Sequence, residues 1–357
     1  VKRRDFFKVL LLSSAGLAAP YYLPGLFKKS NYLLQPYENR HTGECGIFAF
    51  NFAEGTYRKA LTNFNVHNIF YDQDRREFIG INKYGLQFLK FKTIQFDGLE
   101  HHVLPTPTYS LSGHVASVPE EERYYLTAFN LLTGKSCIVS LHKSTNDLEH
   151  TVDLEVSPIE AHDCKFDPQG KQLLVTCGNR VYAYDPRSRD LSFRQFDLVD
   201  SDSSLRHFSV NRRLELCVQS NIIYKPDYTY AKAQVLVATN GVASTAVMQE
   251  IYSAVTDNEL LDFEFNAIGD IFAAVHGGSR HISLWQTSPL RSFKVLTFPE
   301  KVIRVFSSPT SQKEFYVLGR ESFYSISLED FEVRQVEAFR GLLKASYSYS
   351  HETLVNI

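Results

Sequence analysis

From about residue 40 onward, hydrophobic and polar positions alternate with a period of two in short runs separated by turn residues, and no stretch carries a helical period. Aligning the turns exposes a repeated unit. "HNIFYDQDRREFIGINKYGLQFLKF" starts at His67, and comparable runs start at His114, His162, His207, Asp262 and Arg304. Each reads as a strand, a tight turn, a more apolar strand, a second turn and a third strand. The starts are separated by 47, 48, 45, 55 and 42 residues, the long interval holding the insertion "NIIYKPDYTYAK" at 221–232. That is the period of four-stranded propeller blades, roughly 40 to 50 residues. The expected fold is therefore all-β, a seven-bladed β-propeller, with six or eight blades if one strand boundary is misplaced. Six units are complete. The seventh blade is expected to be shared by the N- and C-terminal strands, with 342–357 giving two inner strands and 45–64 two outer ones, so that no sheet edge stays open.

Composition supports strands. The chain has 27 Phe and 20 Tyr against one Trp and one Met, and aromatic residues favour pleated sheet. Lys plus Arg is 38 and Asp plus Glu is 40, a formal charge of −2, with no concentrated basic face, which argues against a nucleic-acid partner. The five cysteines (45, 137, 164, 177 and 217) form no C-x-x-C motif and cannot all pair, so buried thiols are expected for most of them.

The N-terminus, "KRRDFFKVLLLSSAGLAAP", places Arg3 and Arg4 before Phe6, Phe7 and Lys8 and then an apolar run to Ala19. This resembles the twin-arginine signal of bacterial export, which carries folded proteins across the membrane. Residues 1–18 are read as that signal peptide, 19–43 as a linker and 44–357 as the propeller, in the periplasm. Uncleaved, the same segment would anchor the protein to the inner membrane facing the periplasm, and the membrane is contacted in no other way.

The first strand of a propeller blade lies nearest the central channel, so the residues that open successive units converge on one mouth. His67, His114, His207, Asp262 and Arg304 share one register. In the third unit Asp163 takes that place and His162 stands one residue earlier. Lys344 is the expected occupant in the closing blade, and Glu160 and Arg206 add polar groups at the same end. Three readings fit this ring. The histidines 67, 114, 162 and 207 can hold a transition metal such as copper, iron or zinc. Glu160, Asp163, Arg206, Asp262, Arg304 and Lys344 can instead line a pocket for an anion or other small ligand. The third reading is structural, with the same side chains bonded to turns and neighbouring strands. Alternation along a regular strand puts His162 and Asp163 on opposite faces, which separates the adjacent letters of "EAHDCKF". No G-x-S-x-G elbow or H-E-x-x-H motif is present, and no catalytic residue is assigned.

The stretches "SGHVASVPEEERYYLTA", "EAHDCKFDPQGKQLLVTCGN", "SLRHFSVNRRLELCVQS" and "LLDFEFNAIGDIFAAVHGGSRHISLW" resemble the exported periplasmic family catalogued as domain of unknown function 1513, a WD40-like propeller family. Gly113-His114, His162-Asp163 and Arg206-His207 stand where that family has its Gly-His, Pro-His-Glu-like and Arg-His steps. Ala161 before the histidine and Cys177-Gly178-Asn179 depart from its usual forms. The resemblance implies a binding or accessory module in metal acquisition, iron above all, with iron-uptake components of the imelysin type as periplasmic partners. A fainter likeness joins "EAHD" to a step of nitrous oxide reductase, whose paired-histidine motif and cupredoxin domain are missing here. The alternatives are a metal-dependent periplasmic enzyme using the histidine ring, and a protein-interaction platform with structural histidines.

Overall fold

The computed structural model describes residues 31–39, 41–51, 56–154, 161–196, 203–211, 216–222, 234–239, 242–247, 260–276, 280–287, 290–308, 311–320, 322–338, 347–349 and 353–356. Among them every regular element except turns is a strand, and no helix is long and apolar enough to cross a membrane. The span read as a signal peptide, together with Glu160 and Lys344, lies outside the described residues.

The chain opens with β1 (Asn31–Asn39), β2 (Cys45–Asn51) and β3 (Thr56–Thr62). Next come β4 (Val66–Asp72), β5 (Glu77–Gly85), β6 (Gln87–Phe91) and β7 (Glu100–Val103), then β8 (Tyr109–Ala116), β9 (Arg123–Asn130), β10 (Lys135–His142) and β11 (Leu148–Asp153). Four quartets follow: β12 (Ala161–Phe166) to β13 (Leu173–Cys177), β14 (Arg180–Tyr184) and β15 (Leu191–Gln195); β16 (Ser203–Val210) to β17 (Leu216–Ile222), β18 (Gln234–Thr239) and β19 (Val242–Val247). The last two are β20 (Leu260–Phe265) to β21 (Ile271–His276), β22 (His281–Thr287) and β23 (Leu290–Thr297), and β24 (Val302–Ser307) to β25 (Glu314–Gly319), β26 (Ser322–Ser327) and β27 (Val333–Ala338). Short strands β28 (Tyr347–Tyr349) and β29 (Thr353–Asn356) end the series.

Each of these four quartets is an antiparallel meander in sequence order. Strands β4 to β11 make one eight-stranded sheet, because β5 runs on to pair with β8 through Lys83↔Ser112 and Gly85↔Leu111. In the first sheet the order is β28-β1-β2-β3, and β29 also lies on β1. Here the structure corrects the sequence reading. Residues 31–39, expected in the linker, are a full strand, and the C-terminal segment supplies one strand position, split into β28 (Tyr37↔Tyr349) and β29 (Leu33↔Leu354) along the same partner.

Burial follows strand position. Middle strands such as β9 (RYYLTAFN) are buried on both faces and carry near-continuous apolar side chains, whereas outer strands such as β15 (LSFRQ) and β3 (TYRKALT) are largely exposed. The turns are written into the sequence by Asx residues. Asp72 Oδ1 accepts the amides of Asp74 and Arg75, Asp167 Oδ1 those of Gln169 and Lys171, and Asn266 Oδ1 those of Gly269, Asp270 and Ile271. The side chain thus replaces the backbone partner that the turn removes.

The core lies between sheets. Ile47 and Ala49 pack with Ile69, Phe78 and Leu89; Tyr125 and Ile138 pack with Cys164 and Val175; Val275 and Leu284 pack with Val305 and Phe315. Leu33 and Phe50 of the first sheet also meet Leu318 and Phe323 of the last four-stranded one. Consecutive sheets therefore stack face to face and the first returns to the last, a propeller-like, all-β arrangement. Cys137, Cys164 and Cys177 are buried free thiols within it, and Cys45 is free and half-buried.

Candidate metal centre

In every described quartet the innermost strand is interrupted at the same place. Register shifts occur between Val66 and Asn68, Leu111 and Val115, Ala161 and Cys164, Leu205 and Phe208, Leu260 and Asp262, and Val302 and Arg304. A bulge of this kind turns side chains away from the regular alternation. The residues singled out from the sequence, His67, His114, His162, Asp163, Arg206, His207, Asp262 and Arg304, sit inside these shifts or at their borders.

The third unit shows the consequence. Across the β12–β13 pair, His162 and Asp163 together oppose Thr176, so both are buried and both reach His207. His162 Nε2 lies 3.4 Å from His207 Nε2, and Asp163 Oδ2 lies 3.8 Å from His207 Nδ1. The expected separation of these neighbours onto opposite faces is therefore wrong, because the strand is bulged where regular pleating was assumed.

Asp163 is the hub. Its Oδ1 faces His114 Nδ1 at 3.1 Å, its Oδ2 accepts the Phe208 amide at 3.4 Å and faces Lys165 Nζ at 3.5 Å, and its own amide donates to Thr176 Oγ1 at 3.0 Å. Burial alone would raise the carboxyl pKa, but Lys165 and the two histidines win and hold it well below the usual range. Lys165 also donates to the Phe208 carbonyl at 2.6 Å, and Thr176 donates to the Arg206 carbonyl at 2.6 Å. Neither Lys165 nor Thr176 was singled out from the sequence. Lys165 was in view, since two residues beyond Asp163 a strand returns to the same face, whereas Thr176 acquires its role only through the bulge opposite.

Burial keeps His162 and His207 neutral. Burial, reinforced by His207 and His114, pushes His162 well below the ordinary histidine value, and burial brings His207 down to about 4 despite Asp163. Ligand atoms of His114, His162 and His207 lie within 4.8 Å of one another. His67 is placed beside this trio: its ring stands edge-on to His114 at 5.6 Å, and burial brings its pKa down to about 2. Gly113 explains that contact, because its φ is +99° and a Cβ there would overlap the His67 ring. Asp262 and Arg304 pair with each other at 3.3 Å, and Asp262 also accepts the Val305 amide at 3.2 Å. Burial raises the Asp262 carboxyl to about 6, with Arg304 opposing. Arg206 places a guanidinium nitrogen 3.2 Å from His162 Nδ1.

A set of three imidazoles suits a borderline transition metal. Two nitrogens at about 2.0–2.1 Å from one tetrahedral ion lie roughly 3.3–3.4 Å apart, which matches the 3.4 Å between His162 and His207. The ligand nitrogen of His114 stands within 4.8 Å of those two and completes the set. Asp163 faces Nδ1 of His114 at 3.1 Å and Nδ1 of His207 at 3.8 Å, the place a carboxylate takes where it orients histidines that ligate a metal through the other nitrogen.

No family model matches the chain, so the motif resemblance to the domain of unknown function gains no support from that side, and no curated protein matches it in sequence. Solved structures do match in fold. The periplasmic gluconolactonase PpgL of Pseudomonas aeruginosa superposes with a TM-score of 0.61 at 13% identity, over 92% of this chain and 99% of that one. Apo AztD from Citrobacter koseri gives 0.53 at 7% identity over 92% and 98%, and the β-propeller domain of Myceliophteria thermophila Cps50 (Swd1) gives 0.51 at 12% over 80% and 92%. At these identities the likeness is one of fold, and in fold the chain is similar to β-propeller proteins.

Proposed function

We propose that the chain is an exported, seven-bladed propeller that binds one divalent transition-metal ion through His114, His162 and His207 and acts as a periplasmic binding or accessory module in metal acquisition. The observation that carries this is the convergence of three imidazoles on one space, those of His114 and His162 buried and that of His207 partly so, with the single carboxylate of Asp163 facing His114 and His207. The reading of seven blades takes the eight-stranded sheet as two, parted at the short β5–β8 pairing, and the first sheet as the closing blade. An all-imidazole set favours zinc or copper; iron enters through the motif resemblance to partners of iron-uptake proteins. The twin arginines supply the export route, and a periplasmic partner would meet the loops around the mouth.

A second reading shares the site. Three histidines with an open fourth position are also the arrangement of catalytic zinc, which lowers the pKa of a bound water. The likeness in fold to a gluconolactonase makes lactone hydrolysis the activity to assay. The test is elemental analysis of protein recovered folded from the periplasm. Near-stoichiometric metal, lost in His162→Ala and His207→Ala while the fold persists, supports the site. Metal-free protein that also takes up no zinc or copper on titration would leave an interaction platform with structural histidines. Lactonase activity that tracks the metal would shift the reading to an enzyme.

A further inference from the structure

A guanidinium only donates hydrogen bonds and does not lose its proton in proteins. Arg206 Nη1 stands 3.2 Å from His162 Nδ1, so that nitrogen must be the acceptor, and neutral His162 carries its proton on Nε2. The Nε2 proton then faces His207 Nε2 at 3.4 Å, which is bare because His207 turns its Nδ1 toward Asp163. The chain from Arg206 through His162 and His207 to Asp163 is consistent at every link, and it is the wrong tautomer for a metal. A ligating Nε2 needs its lone pair. Moving the His162 proton to Nδ1 leaves the charge unchanged but sets an N–H against the Arg206 N–H. The guanidinium must therefore withdraw before His162 can ligate.

Arg206 has no carboxylate waiting for it among the described residues. Asp163 is held by His114 and Lys165, and Asp262 by Arg304. A divalent ion would add two further positive charges beside this arginine. A small oxyanion at the metal's fourth position solves both problems: it lowers the charge of the centre and offers the planar, two-oxygen acceptor that a guanidinium prefers. Resting on the metal reading above, we propose that Arg206 makes this a site for a metal ion that binds together with a small carboxylate-type oxyanion. Linkage then requires each to strengthen the other by the same factor.

Zinc affinity is measured on the folded chain in a non-coordinating buffer, with and without acetate, for the wild type and for Arg206→Met and Arg206→Gln. Acetate is expected to tighten zinc binding to the wild type within the range of about 5–150-fold typical of coupled sites. Both variants should bind zinc without acetate more tightly than the wild type does, and acetate should leave them unchanged. Nitrogen-15 spectra of the metal-free wild type should show His162 protonated on Nε2, a readout that needs no variant to fold. Acetate without effect on the wild type, an equal acetate effect in the variants, or a His162 proton on Nδ1 would each overturn the proposal. Absence of zinc binding under every condition would instead remove the metal site itself.

Discussion

Asp163 and Asp262 perform the same structural task two blades apart. Each carboxylate reaches from one innermost strand to the backbone amide of the next, Asp163 to Phe208 and Asp262 to Val305. Each also faces the basic residue at that next bulge, His207 and Arg304. Their carboxyl pKa values move in opposite directions, however. Asp163 is held ionised, whereas burial raises Asp262 to about 6. Asp163→Asn is expected to cost about 3–5 kcal/mol, the range for breaking a buried charge cluster on one side. Asp262→Asn should stay within about 1 kcal/mol at pH 7, since its charged form is disfavoured already. Urea midpoints compared at pH 7 check this, and equal losses would refute the distinction.

Acid should unfold the metal-free protein early. His67, His162 and His207 all have folded pKa values depressed below about 6.5, to about 2, well below and about 4 respectively, by burial. Their contribution is complete above pH 6.5 and is lost as pH falls through the window down to about 4, because the unfolded chain binds the protons first. Asp262 has the opposite sign: raised to about 6, it stabilises most below about pH 4 and its contribution fades as pH rises through 6. Three groups against one give a melting temperature lower at pH 5 than at pH 7. A scan series in which it is equal or higher at pH 5 would contradict the assignment.

Gly113→Ala should be costly for two separable reasons. Its φ of +99° disfavours any Cβ, and that Cβ would overlap the His67 ring. The expected loss is about 2–4 kcal/mol. Gly134→Ala makes the control, with φ +67° and open space around its Cβ, at about 1 kcal/mol. Chemical denaturation of the two variants should rank them in that order.

A second buried charge pair joins β4 to the turn after β10. Lys143 and Asp72 pair at 2.8 Å with 2% and 4% side-chain exposure, and Lys143 also donates to the Val118 carbonyl. Lys143→Met leaves the Asp72 carboxylate buried without its cation, at about 3–5 kcal/mol. Lys313→Met removes an equally short but solvent-exposed pair with Glu329 and should leave the midpoint unchanged.

The sheet scaffold was legible because its signals are local: alternating strands, Asx residues at the turns and a steady spacing of units. The register of the ring was legible for the same reason, and Asp163 aligns with Asp262 in sequence as it does in task. What was hidden depends on bulges. No local pattern announces that His162 and Asp163 together oppose Thr176, so alternation argued for separation where the fold brings them together. The register placed His67 with the other ring histidines, and only the left-handed backbone of Gly113 reveals that its ring packs edge-on against His114. Strand β1 was missed because "NYLLQPYEN" carries a proline and lies before the first clear repeat, yet it pairs on both sides.

The pairing of β1 with β28 and β29 sets an order of events during synthesis. Strand β1 is made before β28 and β29, which arrive about 300 residues later, on the order of 15–60 s at roughly 5–20 residues per second. Through that interval one edge of β1 has no neighbour, and the apolar face carrying Leu33 has nothing from the last sheet to cover it. The newborn chain is therefore a spring clip held open by the ribosome, at its greatest risk of sticking to another copy just before it snaps shut.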